Sequence, residues 1–345
     1  MRIGNRPIGP GHPCYVIAEA GSNHGGSLET AFRLIDVAVE AGADAVKFQL
    51  FKAKKLYPRS AGEAEYLEAK KSIFDIIAEL QVPDAWIEKL AKHCAEQRID
   101  FLCTPFDEDS ADVVAPHVPA IKIASYEMTH LPLVRHCAVK GKPMIVSTGT
   151  AELAEVQETV AAIRSVGNQQ IALLQCTASY PAPIETANVR ALVTLREATD
   201  LPTGLSDHTA DPLVAPIVAV ALGAAIIEKH FTLDRGLPGP DHRYAIEPGE
   251  LARMIQCIRS AEAALGHGRK ELLPVERELH AFARRSIFSA RAIQAGERFS
   301  RENLTILRCG RHQAGMPPSS LDELIGKQAS RAITADHPIV AEDVL

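Results

Sequence analysis

The chain has 345 residues, 46% of them hydrophobic and 23% charged, an ordinary globular composition with room for one large domain and a small one. A core of this size needs neither disulfides nor a structural metal. The formal net charge of -6 argues against a nucleic-acid partner, and no apolar run reaches the roughly 18 residues that cross a membrane.

The first residues, Met1–Pro7, lack the apolar core of a signal peptide. The cysteines are Cys14, Cys94, Cys103, Cys137, Cys176, Cys257 and Cys309. They are odd in number, scattered and free of any C-x-x-C pair, which points to reduced thiols and a cytoplasmic protein.

Along the chain, short apolar runs alternate with longer helical patterns. The runs are Tyr15–Ala20, Ala45–Phe51, Phe101–Phe106, Ala120–Ala124, Pro143–Ser147, Ile171–Cys176, Thr203–Ser206 and Ala225–Phe231. They are four to seven residues long and mostly apolar on both faces, as buried parallel strands are. Thr203–Ser206 has the weakest pattern. Between them, Ser27–Ala41 reads as a helix with Ser27 as N-cap, Glu29 in its first turn and Gly42 as its stop. Phe32, Ile35 and Val39 keep helical spacing there. Glu152–Val166 ends at Gly167 and Pro212–Leu222 at Gly223 in the same way. Eight strands with crossover helices over about 250 residues predict an α/β fold, a TIM (β/α)₈ barrel spanning residues 1–266. A doubly wound open sheet is the rival, but no glycine-rich dinucleotide fingerprint follows the first run. Residues 267–283 are charged and read as a linker with some helix. Residues 284–345 read as a small β-rich domain, with a strand expected over Ser286–Ala292.

In such a barrel the active site lies at the C-terminal ends of the strands. All eight runs end in polar residues there, among them Glu19, Lys47 with Gln49, Thr104, Lys122 with Ser125, Ser147, Gln175 with Thr177, Ser206 with His208, and Glu228 with His230. Together these describe a polar pocket. Side chains two apart on a strand share a face, so Ser206 pairs with His208, Glu228 with His230 and Lys47 with Gln49. With the seventh and eighth strands adjacent, the two histidines converge and suit a divalent first-row metal. The plainer alternative is that each merely caps its strand. Lys47 and Lys122 lie inside apolar stretches and need an anionic partner or a bound phosphate or carboxylate, unless they snorkel to the rim. Glu19 suits a substrate contact or proton transfer, or a salt bridge to one of those lysines. The stiff loop Leu237–Arg243 is placed to deliver Asp241 over the pocket. His24, His242 and His312 read as loop histidines with surface or substrate-contact roles.

These strings together resemble the N-acylneuraminate (sialic acid) synthase family. The segments that carry the resemblance are Ile17–Gly25, Ala45–Gln49, Thr104–Asp107, Lys122–Ser125, Cys176–Pro183, Ser206–Thr209, Glu228–Thr232 and Gly239–His242. The region from Arg284 resembles that family's SAF (antifreeze-like) domain. The resemblance implies condensation of phosphoenolpyruvate with an N-acylated amino-sugar aldehyde, N-acetylmannosamine or a related diamino deoxy hexose, and loss of phosphate by C–O cleavage. It implies a divalent ion, Mn2+ before Mg2+ or Co2+, on His208 and His230. It assigns Lys47, Thr104, Lys122, Ser125, Ser147 and Ser206 to phosphoenolpyruvate. Glu19, Gln49, Tyr180, Glu228 and Asp241 go to the sugar or a metal-ordered water. It further implies a domain-swapped homodimer in which Arg308 reaches the partner's sugar site. Two positions depart from the family: Ala178 stands where an asparagine is common, and Cys309 follows Arg308 where a proline is expected. Both changes are expected to touch the sugar side. The rival readings are a synthase of the KDO-8-phosphate or DAHP type and a non-catalytic sugar-binding barrel.

Overall fold

A computed structural model describes residues 1–63 and 71–345. They form two compact units, Met1–Gly266 and His267–Leu345. In the first unit, eight strands alternate with helices: β1 Tyr15–Gly21, β2 Ala45–Leu50, β3 Asp100–Pro105, β4 Ile121–Ile123, β5 Met144–Ser147, β6 Ile171–Cys176, β7 Thr203–Asp207 and β8 Ile226–His230. All pairings among these eight run parallel, and a short antiparallel hairpin, Arg2–Ile3 with Arg6–Pro7, precedes them. The hydrogen-bonded order is β3-β2-β1-β8-β7-β6-β5-β4, so the first and last strands are neighbours. Strands β3 and β4 form the two ends of that ladder and lie side by side. This is a (β/α)₈ barrel with one seam.

The covering helices are α1 Leu28–Glu40, α2 Ala85–Gln97, α3 Glu108–Val114, α4 Leu131–Ala138, α5 Leu153–Ser165, α6 Ala191–Thr199, α7 Val214–Ala221 and α8 Pro248–Leu265. Ser27 caps α1 by accepting the Thr30 N–H, and Gly42 takes a left-handed φ of 82° just past its end. Such a cap contributes about 1 kcal/mol. Helix α7 starts at Val214 rather than Pro212, because the Asp211 carboxylate accepts the backbone N–H groups of Leu213 and Val214. Two further helices, Ala53–Leu56 and Ile73–Leu80, lie in the long excursion between β2 and α2.

Alternation along the strands divides the barrel into two cores. Val16, Ala18, Val46, Phe48, Phe101, Cys103, Ile121, Ile123, Val146 and Leu173 point outward and pack against the helices. Tyr15, Ile17, Ala45, Leu102, Ala120, Ile145, Ala172, Leu174 and Ile226 form a second cluster inside the barrel, closed by Ile3 and Ile8 from the N-terminal segment. Each buried Ile or Leu side chain contributes about 1.5–3 kcal/mol. The faint seventh run is a true strand. A side chain at Gly204 would come within 2.1 Å of the Ile226 carbonyl, which is why its pattern carries a glycine.

The second unit pairs β9 Arg285–Ser289 with β10 Leu304–Arg308 in antiparallel fashion. Ile287, Ile293, Phe299, Leu304, Leu324, Ile333 and Ile339 make its core. The strand expected over Ser286–Ala292 is shorter and starts one residue earlier. Residues of the expected linker contribute a helix, Arg277–Ala283. The seven cysteines are all unpaired. Among the described residues, no helix is long and apolar enough to cross a membrane.

Candidate active site

The face that buries Tyr15, Ile17, Ala45, Leu102 and Ala120 low in the barrel continues upward in steps of two. It presents Glu19, Lys47 and Gln49, Thr104, and Lys122 at the C-terminal mouth. Strands β5 to β8 add Ser147, Cys176, Ser206, Glu228 and His230 by the same alternation. Strand register sets the neighbours: His230 lies opposite Glu19, Glu19 opposite Lys47, Gln49 opposite Thr104, and Glu228 opposite Ser206. These side chains, with Ser125, Tyr180 and His208, line an inner chamber of about 60 Å³.

Two lysines and two glutamates form its floor. Lys47 Nζ lies 2.7 Å from Glu19 Oε2 and 3.6 Å from Glu228 Oε1, and it donates to Thr104 Oγ1 at 3.2 Å. Lys122 Nζ donates to Ser147 Oγ at 2.6 Å and to the Ile123 carbonyl at 3.0 Å, with Glu228 Oε1 at 3.8 Å. Burial opposes the Lys47 charge, yet Glu19 and Glu228 hold its pKa above the ordinary value. Burial lowers that of Lys122. Glu19, buried and hydrogen-bonded by Gln49 at 2.7 Å, is pushed up by desolvation. Glu228 is equally buried, but Lys122 and Lys47 hold it down. Glu19 therefore takes up a proton more readily than Glu228. The salt-bridge alternative for Glu19 is present in the geometry.

The histidine rings lie 5.5 Å apart, centre to centre. His208 donates from Nδ1 to the Thr177 carbonyl at 2.8 Å, which leaves Nε2 as its lone-pair nitrogen. Burial drives the His230 pKa far down, aided by His208 and the lysines, and its buried Nδ1 lacks a hydrogen-bond partner among the described residues. Burial also opposes protonation of His208, but Cys176, 3.7 Å from Nδ1, and the Thr177 carbonyl outweigh it. A neutral, orphaned imidazole beside a second, oriented one fits a metal with two protein nitrogens and open positions. Among the described residues no group of three or more His, Cys, Asp and Glu side chains is arranged as a metal site.

Above the floor lies an outer chamber of about 220 Å³, sharing Gln49, Tyr180 and His230 with the inner one. The Tyr180 ring stands 4.3 Å from His208 and 5.2 Å from Tyr244. Asp241 is brought over the pocket, as its loop suggests. Its Oδ1 accepts the Tyr244 hydroxyl at 2.8 Å, and burial raises its pKa. Gly21, at φ 51°, makes room for it, since a side chain there would meet Asp241 Oδ2 at 3.0 Å. Gly149 is similarly confined: its N–H donates to Ser125 Oγ at 3.0 Å, and a side chain would crowd Ser125, Cys176 and Ala178. Arg308 belongs to the other unit, exposed at the end of β10.

Several expectations need correction. His24 and His242 are not surface residues. His24 is buried edge-on against Trp86, and burial depresses its pKa to about 4. His242 is buried with Nδ1 2.6 Å from Thr232 Oγ1, which anchors the Asp241 loop. His312 is exposed, as expected. The departure at Cys309 has a local structural basis. Cys309 is buried against Ser286 in the second unit, and its N–H donates to the Arg284 carbonyl, a bond that a proline would forfeit. The sequence reading missed Tyr244, Cys176 and Glu127. Glu127 follows Ser125 in a 3₁₀ turn after β4 and lines the outer chamber. Its Oε2 is buried without a partner among the described residues, and burial raises its pKa to about 7. Only its position two residues beyond Ser125 could have signalled it.

A barrel with a charged floor and a histidine pair at its mouth, followed by a small β-rich unit, defines a two-domain synthase architecture. Residues 34–270 match the NeuB family and residues 284–345 the SAF domain. The spore coat polysaccharide biosynthesis protein SpsE of Bacillus subtilis is 43% identical, with 100% of this chain and 97% of that protein covered. The N,N'-diacetyllegionaminic acid synthase of Legionella pneumophila is 38% identical, with 99% and 97% covered. The crystal structure of an N-acetylneuraminic acid (sialic acid) synthetase from Leptospira borgpetersenii superposes with a TM-score of 0.73 at 34% identity, covering 81% of this chain and 94% of that one. The chain belongs to the NeuB family and is an enzyme of that type, which sets aside the KDO-8-phosphate, DAHP and non-catalytic readings.

Proposed function

We propose that the protein condenses phosphoenolpyruvate with an N-acylated amino-sugar aldehyde and water, giving a nonulosonic acid and phosphate. The observation that carries this reading is the joining, in one chamber, of two buried lysines with serine and threonine hydroxyls next to two imidazoles. Phosphate and carboxylate need charge-assisted donors, and Lys47, Lys122, Thr104, Ser125, Ser147 and Ser206 supply them. The formal charges of Lys47, Lys122, Glu19 and Glu228 cancel, so an anionic substrate calls for added positive charge. His208 and His230 would hold a divalent ion, Mn2+ before Mg2+ or Co2+, whose chemistry is to polarise the aldehyde oxygen and order a water. Gln49 and Tyr180 hold the sugar where the chambers join, and Asp241 holds it from above. Glu19, the more readily protonated carboxyl, moves the proton at the forming alcohol, and Glu228 keeps both lysines in place.

The second copy belongs to this reading. Val275 is 84% exposed and Leu279 66%, apolar surface that a domain-swapped homodimer would cover while Arg308 reached the partner's sugar. The setting is cytoplasmic, where phosphoenolpyruvate is made.

The test is phosphate release by the purified protein. It should require phosphoenolpyruvate, an N-acylated amino sugar and a divalent ion together, and stop on chelation. Release that persisted after exhaustive chelation would overturn the metal role, and release without sugar would overturn the condensation.

A further inference from the structure

Among the described residues, five that are not glycine adopt a left-handed φ: Arg98, Thr150, Asn188, Asp200 and Asp336. Four have ordinary reasons. Arg98 and Asp200 cap the C-terminal ends of α2 and α6. Asn188 and Asp336 are of the types whose short polar side chains tolerate that region. Thr150, at φ 62°, is β-branched, and for such a residue this backbone is strained. Its side chain is exposed, so no core packing offsets the strain. An outlier of this kind points to a functional constraint.

The neighbouring residue supplies one. The chain leaves β5 at Ser147 and must reach Glu152, the N-cap of α5. On the way Gly149 dips into the site and is buried, whereas Thr150 is already exposed. A side chain at Gly149 would come within 2.9 Å of Ser125 Oγ, 3.2 Å of Cys176 Sγ and 3.3 Å of Ala178 Cβ. Both backbone polar groups of Gly149 are pinned. Its N–H donates to Ser125 Oγ at 3.0 Å, and its carbonyl accepts the Thr150 hydroxyl at 2.6 Å.

We infer that Thr150 is a positioning residue for the anion site: its left-handed turn and its hydroxyl hold the Gly149 N–H on Ser125. The inference rests on the phosphoenolpyruvate grip proposed above, in which Ser125 takes part. A hydroxyl that accepts from an N–H keeps its own proton for a second partner. In the inner chamber that partner is a phosphate or carboxylate oxygen, a stronger acceptor than the adjacent Cys176 sulfur. Without the Gly149 bond, Ser125 turns among its rotamers and the donor is no longer preorganised. Glycine at position 150 would make the turn without strain, yet it would leave the Gly149 carbonyl unheld. That is the reason for a threonine here.

The experiment measures phosphoenolpyruvate binding by calorimetry to the full-length protein with Mn2+ present, and thermal unfolding of the same samples. Thr150→Gly should weaken binding about tenfold, the scale of one charge-assisted hydrogen bond, with its unfolding midpoint at or above the parent's. Thr150→Ser, which keeps the hydroxyl, should bind as the parent does. Ser125→Ala should show a similar loss, and adding Thr150→Gly to it should cost nothing more, because the two act through one bond. Losses that multiply in the double variant overturn the inference. So does a Thr150→Gly protein that binds like the parent, or one whose weaker binding comes with a lowered unfolding midpoint. A parent that fails to bind phosphoenolpyruvate removes the grip itself, and this inference with it.

Discussion

Strands β7 and β8 carry two buried ion groups back to back. Facing inward, Glu228 lies near Lys47 and Lys122, with Ser206 donating to it at 3.3 Å. Facing outward, one residue along, Lys229 meets Asp207 at 2.5 Å and donates to the carbonyls of Thr209 at 2.6 Å and Asp211 at 3.1 Å. Both groups are almost fully buried, and they differ in completeness. The Lys229 ammonium has its acceptors within reach, whereas Glu228 Oε2 and the neighbouring His230 Nδ1 lack partners among the described residues. A satisfied buried pair ties the α7 entry loop to the barrel. An unsatisfied one is poised for a guest.

The contrast can be broken by substitution. His230→Ala should cost roughly 10³-fold or more in phosphate release, the scale of a lost Lewis-acid contribution of several kcal/mol, while thermal unfolding stays within a few degrees of the parent. Lys122→Met should lose about 10²- to 10³-fold in kcat, as expected for one donor on a developing charge. It should change stability little, since Lys47 and Ser206 remain on Glu228. Lys229→Met should do the opposite. It leaves the buried Asp207 carboxylate without its counter-charge, with only the Thr209 N–H and hydroxyl on it, and should lower unfolding stability by about 3–5 kcal/mol in denaturant titration. Equal Tm losses for the two lysine variants would erase the distinction.

Two smaller effects sharpen it. Glu127 is raised from 4.5 to about 7 by burial, so the folded state keeps a proton that the unfolded chain has lost. Its contribution is full below pH 4.5 and is lost as pH rises through about 7, a change of ~3 kcal/mol at most. Glu127→Gln should flatten that part of the stability–pH curve, and an unaltered slope would count against the burial argument. Gly21→Ala should cost about 1–2 kcal/mol through its left-handed φ. By displacing Asp241 it should raise the sugar KM about tenfold, with KM for phosphoenolpyruvate nearly constant.

Much of the inner chamber was legible beforehand because strand alternation is a rigid rule. Once Ile17 is known to be inside, Glu19 and Gly21 are inside too, and the same holds for Lys47 with Gln49 and Glu228 with His230. What alternation does not reach was hidden. Glu127 and Tyr244 sit in irregular segments whose direction depends on tertiary packing. His24 and His242 looked like loop residues, yet Trp86 and Thr232 bury them. Helix Ile73–Leu80 reads as any apolar helix, and nothing in its composition tells whether it fills a core or lines a cavity. The backbone hydrogen bond from Cys309 to Arg284 leaves no trace in a string of letters.

The seam between β3 and β4 has a mechanical meaning. Seven strand pairings carry the hoop, and its two free edges present Thr104 on one side and Lys122 on the other. On the proposed binding, an anion gripped by both residues would span the gap and complete the ring, and the contacts that held it would also act as a clasp on the barrel.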